Sequence, residues 1–335
     1  MLTLSGKINM KMNCSLCPRM CNIDRQVTTG YCGVKNTIRV ARAALHFWEE
    51  PCISGEEGSG AVFFTGCNLR CVFCQNYQIS QNGFGAEVSS ELFTKMCLDL
   101  QDKGAENINI VTGSHHIPKL AEFIRAAKGA GVIIPFCWNS SAYETVESLE
   151  LLKGLVTIWL PDLKTLDKEI STKLFAAPDY PEVCTKAIEW MIKNNPIKIE
   201  EVKKGSETKE KLMQGVIIRH LFLPGKFEQT ADVLSWLKEN ADTKAFISLM
   251  NQYTPVPFAE DKTSLKKRMD SLSVIENRLV SQTEDMDLQD LIEAFDFDYL
   301  FYQELSDDTS WLPDFNNKMP FPNKLSVGTW HWKDK

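Results

Sequence analysis

The sequence predicts an α/β fold, an open parallel barrel of six strand–helix units, and three observations lead there. Apolar runs of strand length recur at residues 61–65, 107–111, 132–137, 155–160, 215–223 and 245–250. Segments with helical spacing lie between them: Leu92, Phe93, Met96 and Leu100 share one face, as do Ile117, Leu120, Ala121 and Ile124, and Thr230, Val233, Leu234 and Leu237. Parallel strands need a long crossover, usually a helix, so this alternation means a parallel sheet with helices outside. The third observation is that polar residues gather just after the strand-like runs. At 335 residues, 44% hydrophobic and 24% charged, the chain carries enough apolar side chains for a core.

Residues 1–60 read as a cysteine-rich extension. The start, Met1 to Lys7, lacks the apolar core of a signal peptide. No apolar run approaches the roughly 20 residues that span a bilayer. The expectation is a cytoplasmic protein with no membrane partner. In a reducing compartment eleven cysteines argue for metal or redox work rather than disulfides. A net charge of −7 gives no general attraction to nucleic acid. Cys52, Cys97, Cys137 and Cys184 are scattered and read as core residues. Cys14, Cys17, Cys21 and Cys32 form a C-x2-C-x3-C-x10-C set. It suits a closed zinc site, with sulfur at ~2.3 Å from the metal, and equally an auxiliary iron–sulfur cluster. A third reading is four small buried residues, and the spacing does not decide. Thr37 to Arg42 alternates like a short strand, and Ile53 to Gly60 reads as a loop. Between them His46, Glu49 and Glu50 are either cofactor contacts or solvated and capping residues.

Residues 61–305 form the barrel. Its first strand ends at Gly66, followed by Cys67-Asn68-Leu69-Arg70-Cys71-Val72-Phe73-Cys74. Three thiolates on one loop hold three corners of an iron–sulfur cube. No fourth cysteine follows at ferredoxin spacing, which leaves one position open, as in catalytic zinc sites. The competing reading is a zinc loop, but zinc sites pair C-x2-C with a distant second pair. In parallel barrels chemistry sits at the carboxyl ends of the strands. Those ends carry Thr112-Gly113-Ser114-His115-His116, Trp138-Asn139-Ser140-Ser141, Pro161-Asp162-Leu163-Lys164 and Asn251-Gln252-Tyr253, while the fifth strand carries Arg219-His220 within it and ends at Pro224-Gly225. Asp162 and Lys164, two apart on an extended segment, point the same way. The Lys- and Glu-rich stretch 196–214 reads as a solvated surface loop. Asp298 to Tyr302 adds a further strand. Residues 306–335, aromatic and Pro-rich, read as a non-helical tail that wraps the barrel or covers its mouth.

C-x3-C-x2-C with an aromatic before the last cysteine resembles the signature of the radical S-adenosylmethionine (SAM) superfamily. That resemblance implies a partial (β/α)6 barrel and a [4Fe-4S] cluster on Cys67, Cys71 and Cys74, with Phe73 beside the adenine. It implies that SAM chelates the fourth iron. An electron from a flavodoxin or ferredoxin then yields a 5′-deoxyadenosyl radical that abstracts hydrogen. The SAM ammonium would meet Thr112 and Ser114, next to Gly113; its ribose and carboxylate would meet Asn139, Ser140, Asp162 and Lys164, with Arg219 and His220 beside them. Asp162 also suits the sulfonium cation.

Cys14-x-x-Cys17-Pro18-Arg19-x-Cys21, Glu49-Glu50-Pro51, Gln75-Asn76-Tyr77, Leu160-Pro161-Asp162-Leu163-Lys164, Ala177-Pro178-Asp179-Tyr180-Pro181 and Ile218-Arg219-His220-Leu221 narrow the resemblance. They resemble the PflX-type branch, related to pyruvate formate-lyase-activating enzymes. The partner implied is a glycyl radical enzyme or another protein or peptide substrate. Thr112-Gly113-Ser114 and Asn139-Ser140 depart from the activators' Gly-Gly-Glu-like turn and aspartate–threonine pair, which puts an alkali-cation site there in doubt. The alternatives are a radical SAM enzyme acting on a small molecule or peptide, and a non-catalytic iron–sulfur protein.

Overall fold

The computed structural model describes residues 14–204, 207–322 and 325–334. The start of the chain, Met1 to Lys7, lies outside the described residues. In chain order the elements are β1 (Arg39–His46), α1 (Pro51–Ser54), β2 (Ser59–Phe64), α2 (Tyr77–Ser80), β3 (Ala86–Glu87), α3 (Ser90–Asp102), β4 (Ile108–Val111), α4 (Ile117–Gly129), β5 (Phe136–Ser140), α5 (Val146–Glu150) and β6 (Ile158–Pro161). Then come α6 (Lys168–Phe175), α7 (Tyr180–Asn194), β7 (Lys198–Lys204), β8 (Glu207–Leu221), α8 (Phe227–Asn240), β9 (Phe246–Met250), α9 (Lys262–Leu272), α10 (Gln282–Phe295), β10 (Leu300–Gln303) and β11 (Ser326–His331).

The sheet runs β10-β9-β8-β6-β5-β4-β2-β1-β11. Neighbours from β2 to β10 along this path are parallel. β1 pairs antiparallel with both β2 and β11, so the sheet is an open, mostly parallel barrel with an antiparallel edge. Crossovers such as α3 and α4 begin at identifiable stops. The Ser89 hydroxyl accepts from the Leu92 N–H, and the Asp167 carboxylate caps α6 at Ile170. Phe93, Met96 and Leu100 of α3, and Leu120 and Ile124 of α4, sink into the layer between helices and sheet. That layer is the main core.

The inner face of the sheet has its own fillings. Ile53 of α1 belongs to one apolar cluster with Cys137, Ile158, Leu160, Ile217 and Phe246. Phe315 and Phe321 of the tail pack on Ala41, Ala61 and Phe63. Several expectations need correction. The run 132–137 is strand only from Phe136 onward. Ile133 is 87% exposed, and Pro135 has no N–H to give a ladder. Residues 196–214 are not a loop: β7 pairs antiparallel with β8, Ile199 opposite Leu212 and Glu200 opposite Lys211. Both strands are rich in Lys and Glu, which hides a hairpin inside a polar composition. The short strand at 37–42 is β1, buried along its length and part of the main sheet. The tail is not irregular throughout, because β11 closes the free edge of β1.

Candidate functional site

The cysteine loop leaves β2 through Gly66, whose φ of +88° is a left-handed conformation. A Cβ there would lie 2.7 Å from the Cys32 carbonyl oxygen, so the position is closed to other residues. Arg70, at φ +57°, turns the chain again. This turn lets the Leu69 and Arg70 N–H groups donate to Cys67 Sγ at 3.3 and 3.4 Å. Cys74 Sγ lies 3.3 Å from the Ser80 hydroxyl. Two arginines hold the loop from either side. Arg19 donates to the carbonyls of Asn68 (2.8 Å), Leu69 (3.3 Å), Phe175 (2.7 Å) and Ala176 (2.5 Å). Arg268 of α9 donates to the Val72 carbonyl at 2.6 Å. Burial raises all three thiol pKa values; Cys74 raises Cys67 further, Cys74 and Cys67 raise Cys71, and Lys164 pulls all three down. Phe73 leans on Phe175 and Tyr253, with ring centroids 6.1 and 5.9 Å away.

One buried and two half-buried thiols, N–H donors aimed at the Cys67 sulfur and a cation beside them fit a cysteine-held cluster, whose thiolates need such compensation.

Beside this loop the ends of β5, β6 and β8 bring four predicted residues into one network. Lys164 Nζ pairs with Asp162 Oδ2 at 2.8 Å, and Arg219 Nε donates to Asp162 Oδ1 at 2.8 Å. Arg219 Nη2 donates to Asn139 Oδ1 at 2.7 Å. Burial alone would raise the Asp162 pKa; Arg219 and Lys164 outweigh it and hold the carboxyl below its usual range. The Tyr180 hydroxyl donates to the Asp162 carbonyl at 2.7 Å and accepts from the Lys164 N–H at 3.0 Å, fixing the backbone between them.

Two acids in this network come from before the barrel. Glu49 reaches Arg219 at 3.4 Å and Glu50 at 4.0 Å. Burial raises both pKa values, and with Glu49 adding to it Glu50 rises to about 7 despite Arg219. Sequence reasoning left both open between cofactor contact and solvated or capping residues; both reach Arg219, and Glu50 also stands at the N-cap of α1, though its side chain makes no cap bond. Glu144 was missed altogether. It accepts from the Ser114 hydroxyl at 2.5 Å and the Trp138 indole N–H at 3.2 Å, and burial raises its pKa. It stands beyond the strand end, and only the left-handed turn at Ala142 (φ +53°) brings it back.

The remaining residues serve the wall. Thr112 has φ +62°, and its N–H donates to the Asn139 carbonyl at 2.9 Å. Ser140 Oγ accepts from the Ala142 N–H at 3.1 Å. A Cβ on Gly113 would lie 2.7 Å from Trp138 and 2.8 Å from Leu120, so its bareness serves packing. His115 and His116 are buried, ring centroids 4.5 Å apart, with His115 Nε2 bonded to the Thr65 carbonyl at 2.9 Å. His46 packs on Phe63 and Phe321 instead of the network. His220 alternates away from Arg219. Its Nδ1 meets the Leu163 carbonyl at 2.7 Å and its Nε2 the Thr230 hydroxyl at 3.0 Å. Both nitrogens are used, so the structure does not bring His220 into the group. In the amino-terminal set Cys17 and Cys32 are buried, and Cys14 and Cys21 partly so.

An open parallel barrel with a three-thiol loop on its first parallel strand and a charged network at the strand ends defines a cluster-bearing enzyme scaffold. The model of the Radical SAM superfamily matches residues 61–261, and the chain belongs to that superfamily. Membership carries a [4Fe-4S] cluster, SAM and enzymatic activity with it. An uncharacterized protein of Methanocaldococcus jannaschii, MJ0674, is 29% identical over 268 residues, covering 78% of this chain and 72% of its own. Among solved structures, SuiB of Streptococcus suis bound to S-adenosylmethionine is 16% identical with a TM-score of 0.43, over 71% of this chain and 45% of its own. This chain therefore spans less than half the length of SuiB. A domain of pyruvate-formate lyase-activating enzyme from Bacteroides vulgatus gives 10% and 0.36, over 56% and 92%. A radical SAM methyltransferase from Sphaerobacter thermophilus gives 10% and 0.42, over 73% and 66%. Among the described residues no helix is long and apolar enough to cross a membrane.

Proposed function

We propose that the chain is a PflX-type enzyme, akin to the glycyl-radical activators, that takes hydrogen from a backbone glycine of a partner protein. The observation that carries this reading is the Asp162–Lys164 ion pair beside the thiol loop, since Asp-x-Lys after this strand is the activators' pattern. Cys67, Cys71 and Cys74 hold the cluster. Once loaded, and given an electron by a flavodoxin or ferredoxin, it supplies reductive cleavage of SAM to a 5′-deoxyadenosyl radical. The chain's own residues prepare that site. Lys164 offsets the negative charge of the thiolates and is itself held charged by Asp162, against the cost of burial. Phe73, Phe175 and Tyr253 keep water from the loop. Asn139, Ser140, Thr112 and Ser114 line the mouth around Arg219.

A second reading, a small-molecule or peptide substrate, is favoured by one observation. Phe315 and Phe321 cover part of the inner face, at 5.9 and 5.8 Å from the Phe63 ring, which narrows the room for a folded partner. The test is anaerobic reconstitution with SAM and a strong reductant. The reading expects 5′-deoxyadenosine from wild type and none from Cys71→Ala. It expects a glycyl radical signal by electron paramagnetic resonance after mixing with a glycyl radical enzyme. Deoxyadenosine without that signal on any such enzyme would favour the second reading.

A further inference from the structure

Two helices hold the cysteine loop from outside at Val72, between Cys71 and Cys74. The Val72 N–H donates to the Leu174 carbonyl of α6 at 2.9 Å, and the Val72 carbonyl accepts from Arg268 of α9 at 2.6 Å. Arg268 also reaches Gln81 Oε1 at 3.1 Å, and Gln81 Nε2 donates to the Cys71 carbonyl at 2.8 Å. The same guanidinium lies 3.9 Å over the Phe258 ring, which packs on Tyr77 with centroids 4.9 Å apart. α9 is therefore one hydrogen bond from the loop and fixed there from several sides.

The charge of this helix runs against that of the chain. The chain has a net charge of −7, yet α9 carries Lys262, Lys266, Lys267 and Arg268 against one acid, Asp270. Arg268 is taken inward by Glu260, whose Oε2 accepts from its Nε at 3.0 Å. The three lysines are exposed. Lys262, Lys266 and Met269 follow helical spacing and share a face, and Met269 is 44% exposed. Lysines on a helix are ordinarily a solvated face. These stand where an electron has to arrive, because a carrier can pass one only at close approach.

We propose that Lys262, Lys266 and Lys267, with Met269 among them, form the docking surface for an acidic flavin-carrying protein that delivers the electron across the cysteine loop. One electron leaves the reduced flavin and enters the cluster that Cys67, Cys71 and Cys74 hold; no bond forms or breaks in the transfer. Opposite charge steers such a carrier onto the helix and orients it. Met269 suits a flavin, since a thioether makes favourable contacts with an aromatic ring. The inference rests on the reductive chemistry proposed above and names the surface that feeds it, whichever substrate is taken.

The experiment titrates oxidised flavodoxin into the full chain by calorimetry, for wild type and for Lys262→Glu/Lys266→Glu/Lys267→Glu, at low and at physiological salt. The Kd should rise at least about tenfold in the variant, and salt should weaken wild type far more than the variant. Deoxyadenosine formation driven by reduced flavodoxin should slow in the variant, and formation driven by excess dithionite should match wild type. Equal flavodoxin affinity of the two proteins would overturn the proposal. So would tighter binding of a ferredoxin or of duplex DNA than of flavodoxin. No deoxyadenosine from wild type with dithionite would count against the reductive chemistry itself, while flavodoxin affinity judges the surface, so the two readings fail separately.

Discussion

At the residue scale, Arg219 and Asp162 decide the electrostatics of the mouth. Replacing Asp162 by Asn removes the carboxylate that two half-buried cations share. SAM affinity should fall at least about tenfold, roughly 1.4 kcal/mol, while cluster iron stays unchanged. Equilibrium binding beside an iron assay checks this; unchanged affinity would remove Asp162 from the site. Glu50 carries the opposite shift. Its pKa rises from 4.5 to about 7 on folding, chiefly through burial, so the folded state holds its proton more tightly. That contribution is complete below pH 4.5 and is lost as pH climbs through 7. Glu50→Gln should therefore gain thermal stability relative to wild type at pH 8 and little at pH 5. Melting curves at the two pH values check the sign. Asp162, lowered on folding, works the other way, and its stabilisation disappears as pH drops through its folded value.

At the scale of elements, the turn from β4 into α4 is held by close packing. Gly113→Ala puts a methyl against Trp138 and Leu120, and overpacking of this kind costs about 1–3 kcal/mol. The melting temperature should fall by several degrees, and Thr112 and Ser114 should shift with the turn. A variant as stable as wild type would show that the turn yields. The cysteine loop depends on a different support. Arg19 serves four carbonyls from two stretches of chain, and Arg19→Ala leaves them without that donor. The expected result is slower cluster assembly and faster loss of iron in air, read from the absorbance of the cluster over time.

At the scale of the molecule, the two ends of the chain complete the sheet. β11 covers the open edge of β1, and Phe315, fully buried, fills the inner face. Phe315→Ala removes a large core ring, a change that typically costs about 3–5 kcal/mol. Denaturant unfolding should show that loss with the m-value unchanged. A near-neutral result would mean that the tail is dispensable for the fold. The barrel is thus built with its flanking segments, and the same segments reach its mouth: Glu49 and Glu50 from before β2, Arg19 from the amino-terminal cysteine segment.

The alternation of apolar runs and helical faces, the cysteine spacing of the loop and the Asp162–Lys164 pair were legible from residues alone, because each is a local pattern within a few positions. The hairpin of β7 and β8 was not, since a stretch rich in Lys and Glu looks the same on a ribbon and in a solvated loop. His220 was misplaced because adjacent residues of a strand face opposite ways, and only the packed α8 shows which of the two turns outward. Glu50, Glu144 and the strand β11 were decided by the tertiary structure. Their partners lie far away in the chain, and burial, which gives these contacts their strength, exists only once the sheet has closed around them.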